Sequence, residues 1–402
     1  MEFDEFCEAH SQVWDSYLGV VHSDIVTKKT RLGEGILLFP NMVLYTETEH
    51  HYLAELFGAS PGYEGIGAKR HSESSTVRYL YQFADLEGEP AFLMNGRNSS
   101  LSTLIISRDV DISNVSDRFG INPSDSVFTI IRRRGQGGSL LSFGPEFQSC
   151  YLNNCFLLNT NGHVYRMKHV LHLSIVSKMM SLRHFLQDMT SKHVWPVGST
   201  KELSGVSYCP DDAAGAHTLS GQFANLFLVP GLREPNIGGF LSKNPEFVKR
   251  SLDCVDFLYE HRLYWKEGNP NPEEKYIQPD FLLKVANGYW DICDLKKPIL
   301  ERESITRGGH SRRRFIDYVQ EGIAQLANYE HYFQFKENAE YAKQEFGVLV
   351  DNPRLFLIVG SYENVDIEEI QQAERMLKTG YSIVDYDSMN TSFLLRTRSA
   401  SE

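Results

Sequence analysis

Residues 276–298 read YIQPDFLLKVANGYWDICDLKKP, and this stretch decides how the C-terminal part of the chain folds. Two runs of strand-forming residues, 276–284 and 289–295, flank the dipeptide Asn287-Gly288. An Asn-Gly pair between two such runs is a strong short-range signal for a β-hairpin, because both residues tolerate the positive φ angles of tight turns. The sequence therefore predicts two adjacent antiparallel strands here.

Two registers are open for this hairpin. A three-residue loop with Gly288 in the left-handed conformation would place Asp280 opposite Asp294, with Cβ atoms roughly 5 Å apart. Because strand side chains alternate, Lys296 would then share the face of Asp294. A two-residue turn would pair Asp280 with Leu295 and separate the carboxylates. The register thus determines whether two carboxylates and an amine meet, as metal-assisted phosphodiester cleavage requires.

The same stretch resembles the motif of PD-(D/E)xK nucleases, with Pro279-Asp280 as the first half and Asp294-Leu295-Lys296 as the second. The flanking text resembles one branch of that superfamily, the Shedu anti-phage defence nucleases. The resemblance covers roughly residues 232–390. Three segments outside the motif carry it: EPNIGGFLSKNP at residues 234–245, Lys297-Pro298, and QLANY at residues 325–329.

The resemblance implies a metal-dependent DNA endonuclease. Mg²⁺ is a hard ion that takes oxygen ligands, and the family pattern assigns them to Asp280, Asp294 and the main-chain carbonyl of Leu295, with Mn²⁺ able to substitute. Lys296 would orient or help to deprotonate the attacking water and would offset the developing negative charge. Hydrolysis would leave a 3′-hydroxyl and a 5′-phosphate.

Two further groups are candidates for the site. Related nucleases often add an acidic residue from the first helix, which points to Glu234, but Glu260 competes for the role from the preceding strand. Gln325 and Tyr329 are four residues apart and share a helix face. They match the QxxxY element of several branches, in which it lines the site and contacts the DNA backbone.

A basic segment follows the motif. Residues 296–314, KKPILERESITRGGHSRRR, hold seven Lys and Arg against two Glu, and Gly308-Gly309 gives the loop freedom to follow a phosphate backbone. Arginine suits bidentate contact with phosphate. No base-reading pattern is visible, so little sequence specificity is expected. The candidate DNA-binding residues, besides Tyr329, are Lys297, Arg307, Arg312, Arg313 and Arg314.

The length of 402 residues predicts two domains. We expect an α+β chain in which a β-rich domain over residues 1–195, of unknown type and with a sensing or regulatory role, precedes a connection over 196–231. Residues 232–402 would form a restriction-endonuclease-like domain with a mixed sheet flanked by helices. In the first domain, residues 1–20 and 172–193 read as helices, and several segments, including 75–83, read as strands. In the second, residues 255–265 read as a strand, and residues 312–336 read as a helix because apolar residues at 315, 316, 319, 323, 326 and 327 have helical spacing.

Composition narrows the setting. No run of about 18 apolar residues occurs, and the acidic N-terminus MEFDEFCEAH lacks an apolar signal region. Six cysteines are too few for a disulfide framework, which favours a reducing cytoplasmic location and no membrane. The net charge of −12 argues against general affinity for nucleic acid, so any DNA groove must be locally basic.

Two functions from different classes fit these features. The first is an endonuclease that cuts double-stranded DNA, and the family resemblance implies phage defence and assembly as a homo-oligomer such as a tetramer. The second is a catalytically inactive nucleic-acid-binding or scaffolding protein on the same fold. Every motif position carries a competent residue, which favours the first. The second acidic position is Asp294, however, where many relatives carry the longer Glu.

Overall fold

The computed structural model describes residues 1–26, 36–58, 60, 62–71, 76–77, 91–95, 102–106, 128–133, 139–142, 149–161, 164–190, 203–209, 213–228, 234–300, 302–309, 312–362, 364–377 and 380–399. The chain divides into an N-terminal unit, Met1–Asn225, and a C-terminal unit, Leu226–Glu402. Both combine helices and sheets, so the chain is of mixed α+β class, as predicted. No described helix is both long and apolar enough to cross a membrane.

The N-terminal unit is built on a mixed sheet whose order, within the described residues, is β4-β2-β3-β10-β9-β6-β7-β5-β8. Its elements are helix α1 (Phe3–Val26), strands β1 (Ile36–Leu38), β2 (Met42–Glu47), β3 (His51–Phe57), β4 (Gly67–His71), β5 (Ala91–Asn95), β6 (Ser102–Ile106), β7 (Phe128–Arg133), β8 (Ser139–Ser142), β9 (Ser149–Asn161) and β10 (Val164–Ser177), helix α2 (Leu182–Asp188), strand β11 (Ser207–Cys209) and helix α3 (Ala213–Leu228). Helix α1 carries Phe6 and Trp14 into an aromatic core with Tyr45 and Tyr52.

The predicted helix over residues 172–193 is wrong for its first part. Residues up to Ser177 belong to the long strand β10, which pairs with β3 on one side and β9 on the other, and only α2 is helical. Every residue from 169 to 177 is buried, so the alternation that marks a half-buried strand is missing. The predicted strand over 75–83 lies mostly outside the described residues.

The C-terminal unit holds a five-stranded sheet of order β12-β15-β16-β19-β20 within the described residues. Its elements are α4 (Glu234–Lys243), α5 (Pro245–Leu252), β12 (Asp256–Tyr259), β13 (Leu263–Tyr264), β14 (Tyr276–Ile277), β15 (Phe281–Lys284), β16 (Trp290–Leu295), β17 (Thr306–Arg307), β18 (Arg314–Phe315), α6 (Asp317–Phe333), α7 (Lys336–Phe346), β19 (Leu355–Ile358), α8 (Ile367–Glu374), β20 (Tyr381–Val384) and α9 (Tyr386–Ser399). Strand β16 pairs antiparallel with β15 and parallel with β19. It is therefore central, and all six of its residues are buried.

Two predicted elements of this unit needed correction. The strand expected over residues 255–265 is broken into β12 and β13 at Glu260, whose φ is +50°. The helix expected over 312–336 starts only at Asp317, because Arg314–Phe315 pairs with Thr306–Arg307 as a small antiparallel ladder. The pattern within α6 is as predicted, since its buried face includes Val319, Ile323 and Leu326.

Candidate active site

The hairpin register is the one that brings the two acids together. Phe281 pairs with Cys293, so the next pair along the same ladder is Asp280 and Asp294. The turn is the three-residue loop: the Val285 amide donates to the Tyr289 carbonyl at 2.9 Å, and Gly288 has a φ of +89°. A side chain at this φ would be strained, which is why glycine stands there.

The two carboxyl groups lie in a buried, crowded setting. Asp294 is 1% exposed, and Asp280 accepts a hydrogen bond from the Leu295 amide at 2.6 Å through Oδ2. Burial, and after it the neighbouring Asp294 carboxylate, raise the pKa of Asp280 to about 7. Burial also raises the pKa of Asp294, while the Lys296 ammonium acts against this rise. Because the Asp294 carboxylate disfavours ionisation of Asp280, a cation beside the two acids would be favourable.

The Lys296 ammonium supplies positive charge beside these two acids. Its Nζ donates to Asp294 Oδ2, to the Leu295 carbonyl at 3.2 Å and to Gln325 Oε1 at 3.0 Å. Burial acts to lower the pKa of Lys296, but the Asp294, Glu234 and Asp280 carboxylates together outweigh it, so the net pKa is raised. An ammonium has three N–H donors, and here each of them has an acceptor.

The backbone that carries the lysine is held on three sides. The Lys296 amide continues the ladder to Ile358 at 2.8 Å, and its carbonyl accepts from the Tyr386 hydroxyl at 2.7 Å. The next amide, of Lys297, donates to the Tyr318 hydroxyl at 2.9 Å. Sequence reasoning missed Tyr386. Its place directly after the last parallel strand was the available signal, because groups at the carboxyl ends of parallel strands gather at one edge.

A glycine makes room for the lysine stem. Gly322 lies in α6, and a Cβ on it would lie 2.7 Å from Leu357 Cδ1 and 3.3 Å from Lys296 Cε. A glycine in a helix interior costs about 1 kcal/mol relative to alanine. Close packing of α6 on β16 and β19 is what this glycine provides.

The structure places Gln325 in the site and Tyr329 behind it. The Gln325 Nε2 donates to the Tyr329 hydroxyl, which donates to the Gln278 carbonyl at 3.2 Å. Tyr329 is only 4% exposed, so its side chain does not meet the expectation of a DNA contact. Gln278, two residues before Asp280, was not anticipated from the sequence.

Charge interactions distinguish the two candidates for the third acidic residue, Glu234 and Glu260. Burial raises the pKa of Glu234, the Lys296 charge lowers it, and Glu234 in turn helps to raise the pKa of Asp280. The carboxylate of Glu260 instead accepts a hydrogen bond from the Tyr259 hydroxyl at 2.9 Å. Of the two candidates, Glu234 is the one whose charge acts on the site.

The predicted basic segment is partly neutralised. Arg307 forms a two-pronged ion pair with Asp317, and Arg313 Nη1 lies 2.7 Å from Glu369 Oε1. Arg313 also donates to Thr306 Oγ1 at 3.4 Å. Both arginines therefore have carboxylate partners in this structure, and their assignment as phosphate contacts stays a prediction.

Lys297, Arg312 and Arg314 are exposed, and the described residues offer none of them an ion pair within 4.0 Å. Arg314 stands directly opposite Arg307 in the β17–β18 ladder. These three candidate DNA-binding residues remain available to an anion.

The donor set fits a small hard cation. The carboxylates of Asp280 and Asp294 and the Leu295 carbonyl are oxygen donors, and Mg²⁺ needs only one or two carboxylates because it keeps several waters. Two of these groups already bind the Lys296 ammonium. Within the described ranges, no group of three or more His, Cys, Asp or Glu side chains is arranged to hold a metal.

A cleft of about 540 Å³ lies at the other end of the hairpin, next to Asn287 and Tyr289. The acid at its base, Asp291, accepts from the amide and Nε of Arg354, each at 2.8 Å. That carboxylate is already paired with a cation. The cleft and the cluster of titratable groups are therefore at opposite ends of β15 and β16.

The sequence was compared with family models and with curated proteins, and neither comparison finds a match. The resemblance to Shedu nucleases consequently stands on the motif residues and flanking segments quoted above.

Proposed function

We propose that this chain is a metal-dependent DNA endonuclease with a PD-(D/E)xK site in its C-terminal unit, on a restriction-endonuclease-like fold. The observation that carries the proposal is the hairpin register that opposes Asp280 to Asp294 while the Lys296 amine contacts Asp294. By resemblance, the substrate is double-stranded phage or other foreign DNA, the location is the cytoplasm, and the protein is a homo-oligomer.

Asp280, Asp294 and the Leu295 carbonyl would hold the metal. When bound, Mg²⁺ supplies Lewis-acid polarisation of the phosphate and a more acidic water. The raised pKa of Lys296 keeps its amine cationic at neutral pH. Its N–H donors would therefore orient the water or a phosphate oxygen and offset negative charge, and this role is favoured over that of a base.

Substrate binding would use the cations that have no carboxylate partner. Lys297 directly follows the catalytic lysine, and Arg312 and Arg314 stand on the exposed part of the basic segment. Each phosphate contact that releases a counterion contributes to a steep dependence of affinity on salt. No base-reading group was identified, so cutting would be largely independent of sequence.

The second candidate is an inactive nucleic-acid-binding protein on the same fold. One observation favours it: the Lys296 amine contacts Asp294 and the Leu295 carbonyl, which are atoms that the metal would use. The two candidates differ in whether a divalent cation displaces the amine from these oxygens.

The test is cleavage of supercoiled plasmid by purified protein with Mg²⁺ or Mn²⁺. We expect Lys296→Ala to lower the cutting rate by at least about 10²-fold, as removal of one charge-stabilising donor does, while DNA binding persists. Lys297→Ala is the matched control and should weaken DNA binding without abolishing cutting. Asp280→Ala should lose both activity and Mg²⁺ binding by calorimetry. Equal cutting by wild type and Lys296→Ala would refute the proposal that this site cleaves DNA.

A further inference from the structure

A chain of hydrogen bonds links the two halves of the motif through α6. It runs from the Gln278 carbonyl to the Tyr329 hydroxyl, on to the Gln325 amide and then to the Lys296 amine, with 3.2 Å at the first step and 3.0 Å at the last. Gln278 lies two residues before Asp280, and Lys296 lies two residues after Asp294. Gln325 is bonded directly to the Lys296 amine, and Tyr329 is linked to that amine through Gln325.

The direction of every bond in this chain follows from its two ends. A carbonyl can only accept, so the Tyr329 hydroxyl donates its single proton to the Gln278 carbonyl. The hydroxyl oxygen must then accept from Gln325, which fixes the NH₂ group toward Tyr329 and the amide oxygen toward Lys296. At that end an ammonium can only donate, so both ends require the same orientation.

The opposite orientation of the Gln325 side-chain amide would disrupt hydrogen bonding at both ends of the chain of hydrogen bonds. A flipped Gln325 would point its NH₂ group at the Lys296 ammonium, placing donor against donor. Tyr329 would have to choose between two acceptors, leaving either Gln278 or Gln325 without its proton. Each buried polar group left unpaired costs about 1–3 kcal/mol, so one orientation prevails.

We propose that Tyr329 is a positioning residue, which fixes the Gln325 amide so that its oxygen completes the set of acceptors around the Lys296 amine. This inference rests on the proposed nuclease function for its kinetic consequence, but its structural part can be tested without it. It also replaces the expected contact between Tyr329 and DNA, because the hydroxyl is already used on both sides and the side chain is buried.

The chain offers a matched pair of variants. Tyr329→Phe removes the hydroxyl while keeping the buried ring. Tyr332→Phe makes the same change one turn further along α6, where the fully buried Tyr332 donates to the Tyr264 carbonyl at 3.0 Å. We expect Tyr329→Phe to lower kcat about tenfold, in line with one lost oriented hydrogen bond to a charged group, with KM for DNA unchanged. Tyr332→Phe should leave kcat unchanged.

Gln325→Glu provides the decisive background, because a carboxylate presents an oxygen to Lys296 whichever way it turns. We expect Tyr329→Phe to change kcat by less than about twofold in that background, whereas independent effects would multiply. Full multiplication, an equal loss in Tyr332→Phe, or a raised KM with unchanged kcat in Tyr329→Phe would each overturn the proposal.

A readout independent of catalysis separates this proposal from the proposed function. In protein labelled with ¹⁵N-glutamine, the side-chain NH₂ of Gln325 is identified by its loss in Gln325→Leu. We expect slow solvent exchange of these protons in wild type and Tyr332→Phe, and exchange about tenfold faster in Tyr329→Phe. Fast exchange in wild type would refute the orientation, even if the enzyme cuts DNA. Slow exchange in an inactive protein would preserve the orientation and reject the nuclease.

Discussion

Replacing Asp280 by Asn should make the metal-free protein more stable at pH 8 than wild type. The folded chain holds the Asp280 proton up to about pH 7, whereas the unfolded chain releases it near the ordinary value of 3.8. Between these values the folded state binds more protons, so wild-type stability falls as the pH rises from about 4 to about 7. Asparagine carries no charge and keeps an oxygen that can accept from the Leu295 amide.

The magnitude follows from the same pKa. A change from 3.8 to about 7 corresponds to about 4 kcal/mol of unfavourable ionisation. Asp280 is only partly buried, so solvent screens part of this energy, and we expect a gain of about 2 kcal/mol for Asp280→Asn at pH 8. At pH 4, where Asp280 is neutral in the folded state, the two proteins should be about equally stable.

Urea unfolding at the two pH values measures this difference, and hydrogen exchange of peptides from β15 and β16 assigns it to the C-terminal unit. The control is Asp291→Asn in β16, the other strand of the hairpin, where the carboxylate is paired with Arg354 and its loss should destabilise the protein at pH 8. Lower stability of Asp280→Asn at pH 8, or a gain equal at both pH values, would refute the reasoning.

Mg²⁺ should reverse the ranking. A cation that binds only the folded state raises its stability according to its concentration and affinity. We therefore expect Mg²⁺ to stabilise wild type at pH 8 and to have little effect at pH 4, where the proton competes for Asp280. Asp280→Asn should respond weakly at both pH values. A Mg²⁺ response that is the same in both proteins would place the ion elsewhere.

The remaining predictions concern packing and substrate binding. Gly322→Ala should destabilise the protein by about 1–2 kcal/mol through overpacking and should reduce cutting. Gly239→Ala, where an added Cβ meets nothing within 4 Å, should not destabilise it. Urea unfolding and the plasmid assay compare the two variants, and equal stability would contradict the close packing described at Gly322. Replacing Arg312 and Arg314 by alanine should reduce the salt slope of DNA binding by about two, while Arg307→Ala should leave it nearly unchanged; an equal change in both would contradict the ion-pair assignment.

Local sequence rules predicted much of the candidate site. An Asn-Gly turn followed by a strict strand period is enough to oppose Asp280 to Asp294, once the loop length is chosen. The two registers that the sequence left open differ by one residue. A two-residue Asn-Gly turn needs a positive φ at both residues, whereas here Gly288 has one and Asn287 does not, which is the three-residue loop. The helical spacing that placed Gln325 on one face of α6 is equally local.

Other features depended on partners distant in the sequence. Nothing near Arg313 indicates that Glu369, 56 positions further on, neutralises it. The burial of Tyr329 depends on how α6 packs over the main chain of Gln278. A pattern of residue types reports what a side chain can do, whereas its partner is set by which elements meet in three dimensions.

The same difference between local and distant partners explains why the helix predicted over residues 172–193 of the N-terminal unit was wrong in its first part. Strand β10 is covered on both faces and paired on both sides, so its sequence lacks the alternation that a half-buried strand shows. Its apolar run is compatible with helix or strand, and hydrogen bonds to β3 and β9 select the strand. The hairpin at residues 276–298 can be predicted from local sequence because its two strands are neighbours in sequence. One edge of strand β10 pairs with β9, its neighbour in sequence, but the backbone groups on its other edge find partners in β3, more than a hundred residues away.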